Sequence, residues 1–147
     1  MIDVKNFFRY NEHKFLTIRI WFMTAWYRFL LVALPRKNYQ KSWGKLGEET
    51  PGGEDTVSSE QFKYVCTVSE HVNRSGSRTP WKSLCLVRAL TARRLLLEKH
   101  IPCTLYLGVG RDDDGKPVAH AWTRVGAYYV TGGDGSKYAC VAKFANY

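Results

Sequence analysis

The chain has 147 residues, 45% of them apolar and 24% charged, with 22 basic against 13 acidic side chains and a net charge of +9. This composition excludes a disordered chain, and the length suits one main domain with a modest core. The basic excess fits an anionic membrane surface, an acidic peptide partner or a merely solvated basic surface. The Lys and Arg residues form no compact block and no nucleic-acid motif, so nucleic acid is not the expected partner.

Phe15 to Leu34 is the first organised stretch, FLTIRIWFMTAWYRFLLVAL, and Pro35 ends it. Its length is that of a membrane span, but Arg19 and Arg28 interrupt it on roughly opposite sides of a helix. It lacks the short apolar core and small-residue cleavage site of a signal peptide. A buried helix, or one covered by a partner, is expected, with membrane-surface contact through Phe15 to Leu34 as the other option. Residues 47–58 (GEETPGGEDTVS) are acidic and rich in Gly and Pro. They read as a linker between an N-terminal helical segment, 1–46, and a second region, 59–147. Ser58 with Gln61 makes a capping box for a helix running to about Val72. Asn73 to Thr79 then forms a loop.

Thr79 to Trp122 carries the chemistry. Thr79–Pro80 and Ser83 are alternative helix starts, and either places Cys85 within the first turn or two. Apolar residues follow at helical spacing, and Cys85, Ala89, Ala92 and Leu96 share one stripe. Unpaired N–H groups and the helix dipole favour an anion at that end, and a thiolate is one. Thr104 to Arg111 and Pro117 to Val125 both alternate, and DDDGK (Asp112 to Lys116) between them is turn chemistry. They predict an antiparallel hairpin with His120 on its second strand. Packing the Cys85 stripe on that hairpin offers a Cys–His pair suited to acyl transfer or peptide hydrolysis. The plainer alternative is a small buried cysteine and a hydrogen-bonded strand histidine.

Strand-like runs at Ala127 to Thr131 and Tyr138 to Phe144 flank the turn Gly132–Gly135. The fold class expected is α+β: N-terminal helices followed by an antiparallel meander of about four strands. Cys66, Cys103 and Cys140 show no zinc-binding spacing, and reduced thiols in the cytoplasm are expected. GVGRDDDG is not a dinucleotide or calcium motif, because its acidic tip repels phosphate and the remaining calcium ligands are missing.

The residues Pro80–Trp81, Ser83–Leu84–Cys85–Leu86, Arg88–Ala89–Leu90, Leu107–Gly108–Val109, His120–Ala121–Trp122 and Val130–Thr131–Gly132–Gly133 cover about 55 positions in order. In this the chain resembles the B proteins of lasso-peptide maturation, papain-related, transglutaminase-like cysteine leader peptidases, in the split form without a leader-binding domain. The resemblance implies a nucleophile at Cys85, a base at His120, and removal of the leader from a ribosomally made precursor peptide. It implies a small leader-recognition protein and an asparagine-synthetase-like macrolactam cyclase as partners. It also implies ATP dependence of the maturation system, with no cofactor in this chain. An aspartate typically orients the family's histidine. Asp134 is the only acid in that region, although the family position corresponds as well to Gly132. The backbone N–H of Cys85 and the Trp81 indole are candidate oxyanion donors, and Trp122 is expected to shield the pair from water. A transglutaminase-like amide or acyl transferase, and a non-catalytic partner- or membrane-binding module, are the competing readings.

Overall fold

The computed structural model of the chain describes residues 14–35, 37, 40–76 and 85–147. Among them are three α-helices, α1 (Lys14–Ala33), α2 (Ser59–Gly76) and α3 (Cys85–Glu98). Five strands, β1 (Lys45–Leu46), β2 (Cys103–Arg111), β3 (Pro117–Val125), β4 (Tyr128–Thr131) and β5 (Ala139–Asn146), form one antiparallel sheet in the order β1-β5-β2-β3-β4. The architecture is α+β, as expected. The simple meander is corrected: β2, β3 and β4 follow one another, but β5 crosses back to the free edge of β2 and pairs there. Edge pairing satisfies a row of backbone groups that β2 would otherwise leave open.

Local signals account for the element ends. Ser58 and Gln61 form the reciprocal cap that starts α2: Ser58 Oγ accepts from Gln61 N at 3.2 Å, and Gln61 Oε1 accepts from Ser58 N at 2.9 Å. The helix continues past Val72 to Gly76. At the end of α3, His100 takes a left-handed conformation (φ 56°), and Ile101 N reaches back to Leu96 O at 3.0 Å. This satisfies a carbonyl the helix end would strand. Asp112 shapes the hairpin tip, its Oδ1 accepting from Asp114 N and Lys116 N.

Two clusters make the core. Ile20 of α1, Val65, Val68 and Val72 of α2, Ala92, Leu95 and Leu96 of α3, and Cys103, Val125 and Val130 of the sheet form the first. Ala89 and Leu90 of α3 meet Trp43, Leu105, Ala121 and Phe144 in the second. Residues before 59 therefore join the same core as those after it. Ile20 and Trp43 are buried there, and Thr50 N donates to Thr104 Oγ1 at 3.0 Å. In α1 the buried residues are Thr17, Ile20 and Thr24; Phe15, Phe22, Trp26 and Phe29 face outward, while Tyr27 packs on the second cluster. The expected buried helix is thus buried along one side, where Leu16 and Met23 also pack against the first cluster.

Arg124 is the buried cation of the sheet. Its Nε donates to the Tyr106 hydroxyl at 2.9 Å, its Nη2 to Thr50 O at 2.8 Å, and its Nη1 to Gly126 O. It thereby fastens the 47–58 stretch to β3, and removing it strands buried acceptors. Arg124→Ala is expected to destabilise the protein by about 2–4 kcal/mol in urea unfolding. A loss below about 0.5 kcal/mol would contradict this role.

Candidate active site

Alternation along β3 decides what each side chain meets. Ala121 and Thr123 face α3: Ala121 joins Ala89 and Leu90 in the second cluster, and Thr123 Oγ1 donates to Ala89 O at 3.2 Å. His120, Trp122 and Arg124 point to the other face. Cys85, at the first described position of α3, is half-buried and packs on the second cluster, beside the strand segment that carries His120. Among the described residues no hydrogen bond joins the Cys85 thiol to the His120 ring.

The imidazole is held in one defined state. His120 Nε2 lies 2.7 Å from Gly132 O. A carbonyl oxygen only accepts, so Nε2 carries the proton and Nδ1 of the neutral ring keeps its lone pair. Gly132 reaches this place because β4 has ended and the chain turns back with φ 75°. A Cβ there would sit 2.5 Å from Ala121 O and 3.0 Å from His120 Nε2. Only glycine brings its carbonyl to the ring without strain.

Aromatic rings complete the setting. Tyr138 stacks on His120 at 4.4 Å between centroids with a 22° interplanar angle, and Trp122 stacks at 5.9 Å and 22°. Tyr106 stacks on Trp122 in turn, at 5.3 Å and 10°. Gly108, paired with His120 across the β2–β3 ladder, leaves the room: a Cβ there would meet Trp122 Cζ3 at 2.8 Å and Tyr138 Cβ at 3.0 Å. A cavity of about 500 Å³ adjoins this group, with Tyr106, Trp122, Asp134, Cys140 and Lys143 in its wall.

Of the residues singled out in the sequence, His120 and Trp122 are brought together. Asp134 is exposed in the Gly-rich turn, where its Oδ1 accepts from Ser136 N at 2.9 Å. Hydrogen bonds from the Ser136 backbone and side chain hold its carboxyl below the usual range. Among the described residues no hydrogen bond links it to His120, whose Nε2 meets the Gly132 carbonyl instead. Trp81 and the helix-start signals at Thr79–Pro80 and Ser83 lie outside the described residues. Tyr138 and the Gly132 carbonyl were missed as site groups by residue type. No sequence signal distinguishes Tyr138 from any other strand aromatic, whereas Gly132 was marked only by its place in the motif. Among the described residues no group of three His, Cys, Asp or Glu side chains could hold a metal ion.

The chain matches the model of the transglutaminase-like superfamily over residues 25–143. It belongs to that superfamily, whose members are generally cysteine-type enzymes. No curated protein and no solved structure matches it significantly.

The cysteines differ in reach. Cys103 is fully buried, and burial pushes its thiol up to about 12, whereas Cys140 is exposed. Iodoacetamide at pH 8 is expected to alkylate Cys140 in the folded protein and Cys103 only after denaturation, read by peptide mass spectrometry. Equal rates at the two sites would contradict the buried placement.

Proposed function

We propose that the protein is a cysteine peptidase that removes the leader from a lasso-peptide precursor, with Cys85 as nucleophile and His120 as base. The observation that carries a base at position 120 is the Gly132 hydrogen bond, which leaves Nδ1 free to take a proton. Superfamily membership supports cysteine chemistry. The ordered run of motifs from Pro80 to Gly133 supports the leader-peptidase specificity.

In this reading Cys85 Sγ gives its proton to His120 Nδ1 and attacks the carbonyl carbon of the leader–core bond. The Cys85 backbone N–H donates to the developing oxyanion. The imidazolium, steadied by the Gly132 carbonyl, passes its proton to the departing core amine, leaving the leader as a thioester on Cys85. Water then gives a proton to Nδ1 and attacks the thioester, and the proton returns to sulfur as the leader carboxylate departs. The reaction needs Sγ and Nδ1 to meet; α3 packs on the face of β3 opposite the His120 ring, so the thiol at its first turn has to come round to the ring's side. Tyr138 stacks on the ring and Trp122 lies beside the pair. A leader-recognition protein would present the precursor, and an asparagine-synthetase-like cyclase would use the product. ATP dependence belongs to that system, in the cytoplasm.

The test is mass spectrometry of a cognate precursor incubated with this protein and its leader-recognition partner. One cut at the leader–core junction, adding one water, is expected for the wild type and abolished in Cys85→Ala. Gly132→Ala, which crowds the ring and misdirects the carbonyl, is expected to slow cleavage by about 10²-fold. Cleavage persisting in Cys85→Ala would overturn the assignment. A product carrying an added amine in place of water would make the enzyme a transferase.

A further inference from the structure

The outward face of α1 carries a feature that the reaction leaves unused. Thr17, Ile20 and Thr24 turn toward the core. At about 100° per residue, Phe15, Phe22, Trp26 and Phe29 fall in one stripe on the opposite side. Their exposures are 80%, 73%, 58% and 58%. Four aromatic side chains in an exposed row mark an interaction surface, not an ordinary solvated face.

Packing and charge select what covers the stripe. The helix is long and apolar enough to cross a membrane. However, Ile20 sits in the core with Val65, Val68 and Leu95, and Arg19 pairs with Glu98 of α3. Those contacts hold α1 broadside on the domain, so it cannot span a bilayer without leaving the fold. Residues 1–46 hold nine Lys and Arg against two Asp and Glu, a net +7 of the chain's +9, and α1 itself has no acid. An aromatic row on a strongly basic segment is complementary to a surface that is apolar within and anionic outside.

We propose that α1 lies flat on an anionic membrane surface. Phe15, Phe22, Trp26 and Phe29 sink to the boundary between headgroups and acyl chains, and the domain stays on the aqueous side. This attachment stands on α1 alone and is independent of the reaction assigned to Cys85 and His120.

Flotation of the full chain with phosphatidylcholine vesicles, with and without phosphatidylglycerol, tests it. The protein is expected to float with the anionic vesicles and about ten-fold less with neutral ones, and to be released by high salt. Phe22→Ser/Trp26→Ser/Phe29→Ser, which alters only exposed side chains, should lower binding about ten-fold or more with an unchanged circular dichroism melt. Brominated lipid should quench tryptophan fluorescence in the wild type and much less in Trp26→Phe. Three results would overturn the proposal: no flotation with anionic vesicles, equal flotation of the triple variant, or bound protein that resists a high-salt wash as a spanning helix does. A lipid-free dimer abolished by the triple variant, without flotation, would instead assign the stripe to a second copy of the chain.

Discussion

The close approach of α3 to β3 is the constraint on which the site depends. Ala89 on the helix and Ala121 on the strand are small enough for the two backbones to draw together, and the Thr123 hydroxyl bonds the Ala89 carbonyl across the gap at 3.2 Å. Larger side chains there would lift the helix and carry Cys85 away from the segment holding His120. The contact also fixes the facing of β3. With Ala121 and Thr123 turned to the helix, His120 and Trp122 must emerge on the other side.

That facing gives the histidine its surroundings. It emerges where β4 has stopped, so the turn at Gly132 can bring a carbonyl to Nε2 while Tyr138, returning before β5, lies over the ring. A backbone dipole thus orients the ring through Nε2. It carries no full charge, so it fixes the tautomer while stabilising the imidazolium less than an aspartate would. The fold tolerates this because Gly108 opposite contributes no side chain, and the aromatic rings close over the space.

Much of this was legible from local pattern. The Ser58–Gln61 cap, the Asp112–Lys116 turn and the alternation around His120 are decided by neighbours a few residues apart, and the structure has all three. The return of β5 to β2 was not legible, because a strand's choice between two free edges depends on the whole sheet. Nor was the Gly132 contact, since a carbonyl leaves no residue type to read. The orientation of α1 misleads in sequence: a helix apolar nearly all round hides which side packs, and the core receives Thr17, Ile20 and Thr24 while Phe15, Phe22, Trp26 and Phe29 face out.

The measurement closest to the central claim is rapid acid quench of this protein with a cognate precursor and its leader-recognition partner, followed by intact and peptide mass spectrometry. The account predicts a transient adduct equal to the leader less one water, attached through the Cys85 sulfur and discharged by hydroxylamine as the leader hydroxamate. An adduct on Cys140, or cleavage with no covalent intermediate under conditions that trap thioesters, would contradict it.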